Sequence, residues 1–165
     1  MPLSLLPDVL TDSLTDITPA LLSELGVRSL LLDFDNTIVP YTTDVPTAEM
    51  RRWLQTLQDS EIFLCIVSNS RKQRVVRFCQ ENGLPCVTHA RKPFSRGIRE
   101  ALMRYQLEPA HTALAGDQVF TDVLGANGCG LTSILISPIC LHNVWLRLRR
   151  GLEEPFRWLA RKRRR

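Results

Sequence analysis

Two aspartates one residue apart, Asp33 and Asp35, close the apolar stretch "SLLLDF" and are followed at once by Asn36 and Thr37. Three more apolar stretches end in polar groups that packing does not need. "IFLCIVS" ends at Ser68 and Asn69, "LPCVTH" leads to Lys92 before Pro93, and "TALAGD" ends at Asp117, with Asp122 five residues on. Neighbouring carboxylates repel, so this set calls for a cation, and hard oxygen ligands suit Mg²⁺. A carboxylate can also attack phosphorus and carry the phosphoryl group covalently. A second carboxylic acid can protonate the leaving oxygen and later, as carboxylate, take a proton from water. A lysine and a metal ion would neutralise the phosphoryl group in transit.

The elements that must position these residues alternate along the chain. Apolar stretches at 29–34, 62–68, 84–89, 112–117 and 132–137 read as buried strands. Amphipathic stretches at 46–60, 71–83, 94–107 and 121–130 read as the helices between them. Such alternation predicts an α/β fold with a five-stranded parallel sheet between helices. In a parallel sheet all four polar clusters fall on one edge, outside the carboxyl ends of the strands. Plainer readings exist for some of them. Ser68 and Asn69 could simply cap the following helix. Asp122 could do no more than favour a helix dipole. His89, His111 and His142 do not cluster, and Arg91 reads as solvent-facing.

In this order, "DFDNT" (33–37), "VSNS" (67–70), "RKP" (91–93) and "GDQVFTD" (116–122) resemble the four motifs of the haloacid dehalogenase (HAD) phosphatase superfamily. The longer stretches "LLLDFDNTIV", "ARKPFSRGI" and "GDQVFTDVLGAN" resemble the YqeG group of class IIIA HAD phosphatases, which is similar to mitochondrial phosphatidylglycerophosphate phosphatases. The resemblance implies a Rossmann-like HAD core and gives each residue a role. Asp33 would be the nucleophile and Asp35 the general acid/base. Asp33, the backbone carbonyl of Asp35 and Asp117 would hold Mg²⁺. Ser68 would bond the phosphoryl group and Lys92 would bridge it to Asp33, with Asn36, Thr37 and Asn69 lining the substrate side. Asp122 would support the metal's waters or Lys92.

Spacing and charge address the substrate. Asp35 lies 33 positions before Ser68, and Ser68 lies 24 before Lys92, which is too little room for a cap domain in either gap. An open site suits a phosphate presented on something large better than a small metabolite, which pockets usually enclose. The basic charge is concentrated in residues 143–165, with nine basic residues against two acidic, while residues 1–142 are slightly acidic. There Leu141, Trp145, Leu148, Leu152, Phe156 and Leu159 recur at helical spacing, and Pro155 is expected to divide the run into two helices. A basic amphipathic segment with tryptophans suits an anionic membrane surface. The plainer alternative is that the stripe packs on the core. The arginines are not interleaved with a nucleic-acid-binding module, which argues against a nucleic-acid partner.

The expected organisation is therefore a flank at 1–28 packed on the core, a capless phosphatase core at 29–140 and a basic tail at 141–165. The favoured substrate is an anionic phospholipid such as phosphatidylglycerophosphate. The alternative is a soluble phosphatase acting on a sugar phosphate, a nucleotide or a phosphoprotein. Five cysteines without CxxC pairing, no basic start to an apolar leader and no apolar run of bilayer length lead to an expected cytoplasmic location, with peripheral contact to a membrane's inner face.

Overall fold

The structure is a computed structural model that describes residues 4–71, 73–140 and 144–163. In chain order the strands are β1 (Val9–Leu10), β2 (Ser29–Leu32), β3 (Phe63–Val67), β4 (Cys86–Val87), β5 (Thr112–Gly116) and β6 (Thr132–Leu135). The helices are α1 (Pro19–Glu24), α2 (Ala48–Asp59), α3 (Gln73–Glu81), α4 (Arg96–Arg104), α5 (Leu124–Cys129) and α6 (Val144–Arg163). The strands form one sheet in the order β1-β6-β5-β2-β3-β4, with every pairing parallel. The sheet thus has six strands where five were expected. The addition, β1, is a two-residue strand in the N-terminal flank, too short to show any periodicity, and it pairs Val9 with Ile134 on β6.

Alternation along the strands builds two apolar layers. Leu30 and Leu32 of β2 face one side, with Leu64 and Ile66 of β3, while Leu31, Cys65 and Val67 face the other. Both faces are apolar because both are covered. On the first side lie Met50, Trp53, Leu54 and Leu57 of α2 and Val75, Phe78 and Cys79 of α3. On the second lie Ile98, Ala101 and Leu102 of α4 and Ala126 of α5. The flank joins the first layer through Leu14, Ile17 and Leu22, and the Trp53 indole N–H donates to Ile17 O at 2.8 Å.

The tail departs from expectation. It forms the single helix α6, with Pro155 inside it. The carbonyl that a proline leaves unbonded is the one four residues back, which here belongs to Gly151, a position with open space around it. The apolar stripe is not the inward face either. Leu148, Leu152 and Leu159 are exposed, while Glu153, Arg157 and Ala160 are buried. Of the described side chains of the expected stripe, Phe156 alone turns inward, edge-on to Phe120 at 6.0 Å. Leu141, and the side chain of Trp145, lie outside the described residues. Among the described residues no helix is long and apolar enough to cross a membrane.

Candidate active site

Strand order brings the polar clusters together. β2 lies between β5 and β3, so the segments leaving its neighbours flank Asp33 on both sides. The Asp33 amide still bonds Ala115 O on β5, at 2.9 Å, so the nucleophile candidate sits on the last ladder rung. Asp33, Asp117 and Asp122 are all buried, and their carboxylates offer oxygens within 4.8 Å of one another.

Lys92 lies among them. Its ammonium donates to Asp33 Oδ1 at 2.7 Å and pairs with Asp122 Oδ1 at 2.8 Å. Burial works against its charge, but Asp122 and Asp33 outweigh that and raise its pKa. It is therefore an ammonium at any physiological pH. Asn69 sets its backbone, donating from Nδ2 to Lys92 O at 3.0 Å and accepting from Lys92 N at 2.7 Å. The loop carrying Lys92 is pressed against the start of α4, where a Cβ on Gly97 would lie 2.3 Å from Ala90 Cα. Only glycine allows that approach.

Each carboxylate has its own surroundings. Burial, more than any neighbour, raises Asp33 to about 6; Lys92 opposes the rise, and Asp122 and Asp35 add to it. Thr37 donates its hydroxyl to Asp33 Oδ2 at 3.3 Å. Asp117 is pushed up to about 8, first by burial, then by Asp33 and Asp122, against a hydrogen bond from Asn36. That bond, Asn36 Nδ2 to Asp117 Oδ2 at 3.3 Å, leaves Asp117 Oδ1 buried with no hydrogen-bond partner among the described residues. An orphaned carboxylate oxygen beside a second carboxylate is what a hard divalent cation would take up, so the residues present fit Mg²⁺. Asp122 is committed elsewhere, to Lys92 and, through Oδ2, to Gln118 N at 3.1 Å. Its packing also explains Gly116, where a Cβ would sit 2.3 Å from the Asp122 carboxyl carbon.

The residues expected on the substrate side divide differently. Asn36, fully buried at a left-handed φ of 66°, is committed to Asp117 and to both backbone groups of Cys140, its Oδ1 accepting from Cys140 N at 2.9 Å. Thr37 is buried against Asp33, and Asn69 holds Lys92. Asn36 and Thr37 are thus buried among the carboxylates, while Asn69 is exposed at the edge of the site. Ser68 is buried beside the Lys92 loop; its Oγ accepts from Ser70 N at 3.0 Å and keeps its own proton to donate. Asp35 is half-buried and faces Arg74 of α3 at 3.4 Å.

Arg74 is a site residue that sequence reasoning missed. It donates to the carbonyls of Pro40, Tyr41 and Thr43, pairs with Asp44 at 3.0 Å and lies over the Phe34 ring at 5.2 Å. The signal was its place one turn before Phe78, on the apolar face of α3. Glu153 and Arg157 of α6 were missed too, and they contact the segment around Asp117.

A buried carboxylate at a strand end, a buried lysine bridging it to a second aspartate, and a third aspartate with an orphaned oxygen, all at the edge of a parallel α/β sheet, are the arrangement expected of a phosphatase of the HAD type. Comparison with known proteins agrees. A model of the HAD-hydrolase-like family matches residues 89–137. A Bacillus subtilis (strain 168) protein bearing the name "Probable phosphatase YqeG" is 34% identical over 134 residues, covering 81% of this chain and 78% of that protein. The chain belongs to the YqeG family of HAD phosphatases. The fold is also shared with the cobalt-bound deoxy-D-mannose-octulosonate 8-phosphate phosphatase of Haemophilus influenzae, at a TM-score of 0.55 and 14% identity over 82% of this chain and 90% of that one. A protein from Listeria monocytogenes serotype 4b has a TM-score of 0.58 at 16% identity, over 72% of this chain and 84% of that one.

Proposed function

We propose that the protein is a Mg²⁺-dependent phosphomonoesterase that works through an aspartyl-phosphate on Asp33 and acts on an anionic phospholipid monoester such as phosphatidylglycerophosphate. The observation that carries the chemistry is the Lys92 ammonium, 2.7 Å from Asp33 and 2.8 Å from Asp122, next to the orphaned oxygen of Asp117. Asp33 attacks phosphorus and the ester P–O bond breaks. Asp35 gives its proton to the departing alkoxide, then takes one from the water that cleaves the Asp33–phosphorus bond. Inorganic phosphate leaves and the Asp33 carboxylate is restored. Lys92 and the Ser68 hydroxyl hold the phosphoryl oxygens through both steps. Asp33, Asp117 and the Asp35 carbonyl would hold Mg²⁺, which would neutralise charge on the phosphoryl group.

The lipid reading is supported by the outward face of α6. Leu152, Leu148 and Trp158 are 62%, 57% and 51% exposed, and Arg147, Arg161 and Lys162 are exposed among them. The Lys162 ammonium lies 4.0 Å over the Trp158 ring. A helix with apolar and basic groups on one outward side suits the interface of an anionic bilayer. The connections around the site are short as well. Among the described residues a loop and α2 lie between Asp35 and β3, and α3 between β3 and β4, which supports an open, capless site. Turnover of phosphatidylglycerophosphate in anionic vesicles, set against sugar phosphates and nucleotides, tests the substrate. Asp33→Asn and chelation of Mg²⁺ test the mechanism. Both should abolish hydrolysis, and Leu148→Asp with Leu152→Asp should stop the protein floating with anionic liposomes. Brisk hydrolysis of soluble esters with none of the lipid would leave the mechanism standing and favour the soluble alternative.

A further inference from the structure

We infer that Glu153 and Arg157 of α6 are positioning residues of the active site, which hold the segment leaving β5 so that Asp117 is aimed at the cation. This deepens the proposed function and rests on its reading of Asp117 as a metal ligand.

Arg157 is 1% exposed and Glu153 2%, and they lie four residues apart on one face of the helix. A buried guanidinium is costly unless its donors are used. Arg157 Nη2 donates to Asp117 O at 2.9 Å and to Ile136 O at 3.1 Å. It thus ties the segment leaving β5 to the one leaving β6. Glu153 Oε1 accepts from Val119 N at 3.0 Å. The two side chains therefore grip the backbone on either side of Gln118. Immediately before the grip stands the Asp117 carboxylate; immediately after it comes a single π-type turn, Val119–Val123, which carries Asp122 back to Lys92. Among the described residues no backbone partner from the sheet holds Asp117 O, because the ladder between β5 and β6 ends with Gly116 opposite Leu135. The tail helix supplies what the sheet does not.

Neither residue touches the reacting atoms, so the effect should appear in metal binding before chemistry. Partners that orient a ligand are typically worth about 10- to 100-fold in metal affinity. The test is calorimetric titration of Mg²⁺, without substrate, into wild type, Arg157→Met, Arg157→Lys and Glu153→Ala, with folding checked by circular dichroism and melting in EDTA. Leu102→Ala, a core truncation on α4, controls for lost stability. Expected is a Mg²⁺ dissociation constant raised about tenfold or more in Arg157→Met and Glu153→Ala. Partial recovery is expected in Arg157→Lys, with no change in Leu102→Ala. If Arg157→Met does not fold, Glu153→Ala and Arg157→Lys decide the matter. Wild-type affinity in every folded variant overturns the inference while the proposed function stands. No Mg²⁺ binding by wild type overturns both. An equal loss of affinity in Leu102→Ala would reduce the pair to ordinary stability and also overturn the inference.

Discussion

The two raised carboxylates make Mg²⁺ binding a proton-releasing reaction, and the amount released can be worked out. Asp117 ionises near 8 and Asp33 near 6 in the metal-free protein. At pH 7 Asp117 is therefore protonated in about nine molecules of ten and Asp33 in about one of ten. Both must lose their protons to serve as ligands. About one proton should leave per Mg²⁺ at pH 7 and about two at pH 5. Affinity should rise roughly tenfold per pH unit between 6 and 8, more steeply below 6, and level off above 8. Calorimetry in buffers of different ionisation enthalpy reads the proton count directly. The sign for stability runs the same way. Both folded values lie above the ordinary carboxylate value of 3.8, so the folded protein holds these protons more tightly than the unfolded chain. Their contribution is fully present below about pH 4 and is lost as pH rises through 6 and then 8, each pH unit between folded and unfolded values being worth about 1.4 kcal/mol. Melting in EDTA should thus fall from pH 5 to pH 8, and the stabilisation gained on adding Mg²⁺ should grow over the same range. Affinity independent of pH, with no proton released, would refute this account of the site.

Two further outcomes follow from packing. Gly116→Ala places a Cβ 2.3 Å from the Asp122 carboxyl and must push it off Lys92 and Gln118 N, so urea denaturation should show a loss of roughly 2–4 kcal/mol and turnover should drop sharply; an alanine variant of full stability and activity would mean that the close approach is not real. Trp53→Phe removes the indole donor to Ile17 O and should cost about 1–2 kcal/mol with turnover unchanged, a result read from the same two measurements.

The site was legible in the sequence because a parallel sheet writes its chemistry at strand ends. Strands buried on both faces give uninterrupted apolar runs, and a charged residue that ends such a run stands out. Asp33 and Asp117 were readable in this way, and Ser68 and Lys92 as polar residues at or shortly after the ends of such runs. What was not readable lay on helices or in very short elements. β1 has two residues and no pattern. Arg74 and Arg157 were hidden by the habit of counting arginine as an outward residue, although each falls on the inward face of its helix. For α6 the error was a matter of phase. Leucines mark the face that packs when a helix covers an apolar layer, but α6 covers the end of the sheet, where free backbone carbonyls and amides need polar partners. That is why Glu153 and Arg157 turn inward and Leu148 and Leu152 do not.

The same reasoning sorts the polar residues of the motifs. A cluster of buried carboxylates is unstable unless each one is held, so the sequence spends Thr37 on Asp33, Asn36 on Asp117 and Asn69 on the backbone of Lys92. Charge then sets the cofactor. Asp35 faces Arg74, and Lys92 stands against Asp33, Asp117 and Asp122. With three carboxylates against one ammonium, two negative charges remain uncompensated at full ionisation. In the metal-free protein burial first, and this excess of negative charge after it, raise Asp33 and Asp117, and the protons they hold relieve part of the excess. A divalent cation relieves it equally, and a phosphoryl group can then approach Asp33 without meeting net negative charge. The proton and the cation thus compete for one excess of charge, and the metal requirement follows from the arrangement of four side chains.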